Sequence, residues 1–345
     1  MKKLFVRAYC QSNLGDDLFI LQLARHCPDT SFYVYALGEN QRAFLSQKNI
    51  CLPTSWDRIR RKLRHIALQK DLFDGYGLDG TVAIGGSIFW EGAPIADLDE
   101  SCILIGPNCE DSYSPEYREK LAAQLKKVKS CCFRDTFSYK LFEDIPTVSC
   151  APDVLYGWNS RQTPCRGEGI GISLVAEKGA FRAEALRRSY YAAIAEVCDL
   201  CAERGIPVTL LGFCKSEGDG EAIRAVLDRV KNPGAVSSRL YEGDPEGMLE
   251  AMNGCQTILA TRFHAMILGW VLGKNVVPIL YSSKQTHVLE DAGFTGPVWN
   301  ALAGEILSGQ ALLDMVDAQK GMLDISELKK GANRQFAALD AFLQA

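Results

Sequence analysis

Histidine is scarce in this chain, with 4 in 345 residues, so few side chains can exchange a proton near neutral pH. Other absences exclude whole classes. No apolar run approaches the ~18 residues of a membrane-crossing helix, and no span is expected. The segment Met1 to Cys10 holds too short an apolar run for a secretory leader and is interrupted by Arg7. Positive charge is not in excess: the net charge is -4, which gives nucleic acid no support as a partner. No predicted strand runs into Gly-x-Gly-x-x-Gly, which disfavours a nicotinamide dehydrogenase. A cytoplasmic protein is expected, with contact at the inner face of a membrane left open.

Cysteine is plentiful, at 13, but the partners that would give it chemistry are missing. Cys198 and Cys201 have metal-like spacing, yet no second Cys/His pair lies nearby, and a structural zinc wants four ligands. The thiols are odd in number, scattered, and set in apolar contexts such as Cys102, Cys214 and Cys255. Small buried thiols in a reducing compartment fit that distribution. No metal and no organic cofactor are expected.

The length predicts roughly two domains, and 47% apolar with 23% charged residues is a globular composition. Lys3 to Ala8, Ser31 to Ala36, Thr81 to Ile84, Ser101 to Gly106 and Ser130 to Phe133 read as strands. Asn13 to Asp17 reads as a turn, Leu18 to Ala24 as the start of a helix, and Glu116 to Val128 as an amphipathic helix. A polar stretch from Asn159 to Glu168 reads as a linker, after which the pattern restarts. Gly169 to Leu174, Pro207 to Gly212, Thr257 to Ala260 and Asn275 to Tyr281 are the strands of the second half. Ala183 to Arg204, Asp219 to Val230 and Met266 to Leu272 are its helices. Such alternation predicts parallel βαβ units, in two doubly wound halves at 1–158 and 159–345. The last helical segment, Ile325 to Ala345, fits either half and can pack back on the first.

The chemistry gathers where predicted strands end. Thr261 to Gly269 follows the buried strand Gln256 to Ala260 and opens an apolar helix, so Arg262 and His264 stand where a strand hands over to a helix. Ligands of open α/β sheets bind beyond such strand ends, and a helix N-terminus offers N–H groups to an anion. Arg262 supplies a planar fork for carboxylate or phosphate; His264 supplies a group able to give and take a proton. Equally, Arg262 is able to pair with a structural carboxylate and His264 to serve as a core residue. Three further loops are small or polar. In Asn13 to Asp17, Gly15 permits a tight turn and Asp16 or Asp17 is suited to cap a helix. Gly85-Gly86-Ser87 permits close backbone approach to an oxyanion. Arg134, at the end of another strand, is either functional or the partner of Asp153. Lys284, past the strand ending at Tyr281, offers a point charge to a phosphate.

The order of these motifs carries more than any one of them. Asn13-x-Gly15-Asp16, then Gly85-Gly86-Ser87-Ile88-Phe89, then Arg134-Asp135-x-x-Ser138, then Pro152-Asp153, then Arg262-Phe263-His264-Ala265 with Tyr281-x-x-Lys284, resembles the polysaccharide pyruvyl transferase family. The resemblance runs from about Asn13 to Lys284 and is most specific at Ala260 to Ala265. It implies two Rossmann-like domains facing each other across a cleft, in a GT-B-like arrangement. It also implies transfer of the pyruvyl unit of phosphoenolpyruvate to sugar hydroxyls as a ketal, with release of phosphate. On that resemblance Arg262 and His264 hold phosphoenolpyruvate and supply the catalytic proton. The loops Asn13 to Asp17 and Gly85 to Ser87 then face the cleft from the other domain. Many relatives carry three glycines where this chain has Ala83-Ile84-Gly85-Gly86, a departure that bears on the second loop.

One segment stands outside this pattern. From Asp57 to Leu68, Ile59, Leu63 and Ile66 share a helical stripe and the remainder is strongly basic. A solvated helix face has that composition, and so has a helix that lies on an anionic membrane. The implied acceptor is a saccharide, lipid-linked or free. A sugar-nucleotide glycosyltransferase of the same architecture, with Arg262 and Lys284 on a diphosphate, and a non-catalytic relative are the rival readings.

Overall fold

The computed structural model describes the whole chain except residues 65–68, 74, 93–97, 161–164, 177–180, 182–183 and 320. The chain folds into two compact units. The first comprises Met1–Gln11, Asp16–Gly157 and Glu327–Ala345; the second comprises Ser12–Gly15 and Trp158–Ser326. The C-terminal segment thus groups with the first unit, one of the two placements open to it, and Ser12–Gly15 departs from a single cut near residue 158.

In the first unit, β1 (Lys3–Arg7), β2 (Ser31–Val34), β3 (Ile50–Cys51), β4 (Gly80–Ile84), β5 (Cys102–Ile105), β6 (Ser130–Phe133) and β7 (Val148–Cys150) form one sheet. Its order is β3-β2-β1-β4-β5-β6-β7, and every pairing is parallel. In the second, β8 (Ile170–Leu174), β9 (Val208–Gly212), β10 (Val236–Leu240), β11 (Thr257–Ala260), β12 (Asn275–Leu280) and β13 (Trp299–Asn300) follow the order β10-β9-β8-β11-β12-β13. These pairings too are parallel. Strands β4, β8 and β11 are buried along their whole length, because a parallel sheet covered on both faces needs continuous apolar runs. Each unit is a Rossmann-like α/β layer structure, and the order of each sheet reverses once, between β1 and β4 and between β8 and β11. Crevices at such reversals, beyond the carboxyl ends of the strands, are where this architecture binds ligands.

Local differences from the sequence expectations have local causes. The first helix spans Leu14–His26 rather than starting at Leu18, because the Asn13 side chain accepts the Gly15 N–H at 3.1 Å and closes the turn early. Asp16 and Asp17 consequently lie inside the first turn, where carboxylates favour the helix dipole, and are not its cap. Strand β10 has no counterpart among the expected strands: Val-Ser-Ser-Arg-Leu is an edge strand whose polar middle is exposed and whose ends are half-buried. The C-terminal segment is broken into Ser326–Ala332, a 3₁₀ turn at Asn333–Phe336, and Ala337–Gln344. Buried Gln335 anchors it, donating to the carbonyls of Phe133 (3.1 Å) and Ala151 (2.7 Å) and accepting from Gly106 N–H (3.0 Å). All 13 cysteines are free thiols. Cys198 and Cys201 are buried in the helix Glu184–Glu203, and burial pushes the Cys198 thiol up to about 12. Among the described residues no helix is long and apolar enough to cross a membrane.

Candidate active site

The reversal in the second sheet puts the ends of β8 and β11 side by side, and Thr261-Arg262 turns directly off β11. Three side chains hold that turn. Ser173 Oγ accepts the backbone N–H of Thr261 (2.9 Å) and of Arg262 (3.1 Å). The Tyr190 hydroxyl lies 3.0 Å from Thr261 Oγ1, and Gln285 Nε2 donates to the Thr261 carbonyl at 3.0 Å. Arg262 thereby becomes the extended residue that precedes the helix Phe263–Val271. Its guanidinium is directed at two carboxylates that follow the end of β9. Nε donates to Asp219 Oδ2 at 3.0 Å, Nη2 also bonds Asp219, and Nη1 bonds Glu217.

Asp219 is fully buried and is itself fixed by the N–H groups of Phe213 (2.7 Å) and Cys214 (2.9 Å). Burial opposes the charge on Arg262, but Asp219, Tyr281 and Glu217 outweigh it and hold the guanidinium pKa above its ordinary value. Burial pushes the Glu217 carboxyl up, and Arg262 with Asn13 brings it below the usual range. Arg262 is therefore charged and locked. Of its two partners, Asp219 belongs to the interior and Glu217 stands at the solvent edge.

His264 is the second residue of the Phe263–Val271 helix. The stretch Ser12–Gly15 lies against it. Asn13 forms a bridge with Cys214, Leu14 N–H donates to the Phe213 carbonyl (3.0 Å), and Asn13 Nδ2 donates to Glu217 Oε1 (3.2 Å). A Cβ on Gly15 would fall 1.7 Å from His264 Nδ1. No atom fits at that distance, so the Asn-x-Gly-Asp glycine is what lets the imidazole occupy its position. Gly15→Ala is accordingly expected to displace the ring while leaving the sheet intact. The check is a thermal melt close to that of the unaltered protein together with a loss of turnover approaching that of a His264 deletion; unchanged turnover would show that the ring position does not matter.

The first unit carries its own cluster at its own reversal. Gly85, at φ 145, turns off β4 in a conformation that L side chains rarely adopt. Gly86 lies over Arg134: a Cβ there would fall 2.4 Å from Cζ of the guanidinium. Arg134 is buried, with Nη1 donating to Asp153 Oδ2 (3.1 Å) and Nη2 to Asn108 Oδ1 (2.6 Å). Of the alternatives the sequence left for it, the structure has the Asp153 partnership. Ser87 is exposed, and Asp16 approaches Gly85. Thus Asn13, Gly15, Arg262 and His264 come together in the second unit, whereas Asp16, Gly85, Gly86, Ser87 and Arg134 belong to the first. Lys284 is half-buried at the start of the helix Ser283–Asp291, off the end of β12.

The family model for polysaccharide pyruvyl transferase matches residues 13–283. The chain belongs to that family. No curated protein matches it by sequence. Among solved structures it is similar to UDP-GlcNAc 2-epimerase of Methanocaldococcus jannaschii in complex with UDP-GlcNAc and UDP (TM-score 0.63, 10% identity, 99% of this chain and 100% of that one). It is also similar to UDP-GlcNAc 2-epimerase of Neisseria meningitidis bound to UDP-GlcNAc (TM-score 0.54, 11% identity, 100% of both chains). A third is Anabaena HepE in complex with UDP (TM-score 0.52, 12% identity, 100% of this chain and 98% of that one). At such identities the likeness concerns the fold, which is GT-B-like.

In this pyruvyl transferase family member, the residues that sequence reasoning missed are Glu217, Asp219, Ser173 and Gln285. A usable signal existed for the first two: Glu217-Gly218-Asp219 follows the end of β9, which is a strand-end position like that of Arg262. Among the described residues, one group could hold a metal ion, His26, Cys27 and Asp340. There His26 Nε2 and Asp340 Oδ1 already share a 2.8 Å hydrogen bond, which a shared metal would have to break.

Proposed function

We propose that this polysaccharide pyruvyl transferase uses phosphoenolpyruvate as donor and forms a pyruvate ketal on two hydroxyls of a saccharide acceptor, lipid-linked or free, on the cytoplasmic side. The observation that supports the reading most is the pairing of an imidazole held against Gly15 with a locked guanidinium two residues before it, at the reversal of the second sheet. The chemistry needs both. Protonation of the methylene carbon by His264 makes the neighbouring carbon electrophilic, and a sugar hydroxyl adds to it. Phosphate then leaves with the C–O bond electrons, and a second hydroxyl closes the ketal. Of the two hydroxyl protons released, one replaces the proton given by His264 and one leaves with phosphate. Arg262 balances donor charge while phosphate departs, and Lys284 adds a point charge. Asn13 offers a polar contact within the same unit; Gly85, Gly86 and Ser87 form, in the first unit, a loop whose backbone suits a substrate oxyanion. The reading requires no metal and no organic cofactor.

Arg262 enters with its fork filled, so a donor carboxylate must take the place of Glu217 on Nη1. Counting Arg262, Asp219 and Glu217, the local charge without ligand is -1, which repels an anion. Glu217→Gln removes that excess and is expected to tighten phosphoenolpyruvate binding by about fivefold, the size of one charge–charge contact at ~4 Å in water. Isothermal titration checks it, and weaker binding would make Glu217 a fixture of the donor site. The function itself is tested by phosphate release from phosphoenolpyruvate with a set of glycan acceptors. Thermal stabilisation by UDP-sugars, with neither stabilisation nor phosphate release in the presence of phosphoenolpyruvate, overturns the reading.

A further inference from the structure

The basic helix Ser55–Arg64 is built the wrong way round for a helix that packs on a core. A surface helix ordinarily turns its apolar stripe inward and its charges out. Here Asp57 is buried, its Oδ2 accepting Thr54 N–H (2.8 Å) and Thr54 Oγ1 (2.7 Å) and its Oδ1 accepting the Tyr76 hydroxyl (3.0 Å). On the same side Arg61 stacks over Tyr35, with Cζ 5.0 Å from the ring centroid, and Arg60 is half-buried. At 100° per residue, the opposite face carries Ser55, Trp56, Arg58, Ile59 and Lys62, all exposed. Trp56 is 78% exposed and Ile59 47%. The polar groups thus fix the helix to the unit, and among its described side chains two large apolar ones, Trp56 and Ile59, are turned to solvent beside two cations.

That face contains no carboxylate, since the one acidic residue of the helix is the buried Asp57. Tryptophan favours the interface between water and acyl chains, and flanking arginine and lysine are drawn to anionic headgroups. We propose that Trp56 and Ile59, with Arg58 and Lys62, dock this unit on an anionic lipid surface. The geometry suits shallow interfacial contact: two apolar side chains enter the headgroup boundary, and the cations on their stems stay at its level. Residues 65–68, which include Ile66 of the expected apolar stripe, lie outside the described residues and form no part of the site. The proposal rests on the surface of the first unit alone and is independent of the pyruvyl-transfer reading.

The test is co-sedimentation of the full chain with phosphatidylcholine vesicles, with and without phosphatidylglycerol. The expected result is pelleting with the anionic vesicles only, weakened by added salt. The double exchange Arg58→Glu and Lys62→Glu should lower the partition coefficient by more than about tenfold, since each cation near an anionic surface is worth roughly fivefold. Trp56→Ser should lower it severalfold while the charges remain. All these positions are exposed, so unchanged melting temperatures certify the fold of each variant. No pelleting of the unaltered protein, equal pelleting with neutral vesicles, or full binding by the charge-reversed variant overturns the proposal. Self-association that Trp56→Ser abolishes, without any vesicle binding, overturns it in favour of a second copy of this chain.

Discussion

Replacing His264 by alanine should lower turnover by ~10²–10⁴-fold, the usual worth of a positioned general acid, while phosphoenolpyruvate binds within a few fold of its original affinity. The separation follows from geometry. The ring is held against Gly15, whereas the charge that would meet an anion sits on Arg262, which keeps Asp219 and the Ser173 and Gln285 supports when the ring is gone. Alanine is also a good residue for the first turn of a helix, so the Phe263–Val271 segment should stay folded. Phosphate release in single-turnover experiments, alongside titration of phosphoenolpyruvate, reads the two effects apart. A further check comes from combining this change with Gly15→Ala. If the glycine acts only by making room for the imidazole, the double variant is no slower than His264→Ala alone, a departure from additivity expected of groups in contact. Near-normal phosphate release by His264→Ala with acceptor present would remove the residue from the chemistry.

The second large effect is on stability. Asp153→Ala is expected to cost about 3–5 kcal/mol, because it strands the Arg134 guanidinium in the interior. Both side chains are buried, 3.1 Å apart, and Arg134 also donates to Asn108. Burial holds the Asp153 carboxyl above the usual carboxylate range, and the Arg134 guanidinium opposes that shift. Asp153 further receives the Leu155 N–H at 2.9 Å, which ties the chain beyond β7 to the pair. Changing Arg134 to methionine together with Asp153 to leucine should lose less than the single change, since neither charge is then left alone. Urea denaturation with a constant slope provides the measurement. A single change costing under about 1 kcal/mol, the scale of an exposed pair, would mean that water already reaches the guanidinium. The outcome matters for function because Gly86 rests on Arg134, so a collapsed pair would also release the loop that turns off β4.

Strand–helix alternation, the parallel sheets and the position of Arg262 and His264 past β11 were legible in the chain alone. The physical reason is that buried parallel strands must be continuous apolar runs, and each such run stands out against the polar turns that end it. The edge strand Val236–Leu240 escaped because its exposed polar middle removes that signal. The choice of partners was not legible at all. Arg262 and Arg134 each carry a fork that fits many carboxylates, and nothing local selects Asp219 and Glu217 for one and Asp153 for the other. Strand order makes that selection: β9 and β11 both flank β8, so an acidic pair more than forty residues away reaches Arg262. The meeting of Gly15 with His264 is decided in the same way, by a short stretch that leaves its own sequence neighbourhood to join the second unit. Composition and periodicity determine which elements form, because they act over neighbouring residues; which side chains face one another is settled by packing, because it depends on distances that sequence separation does not encode.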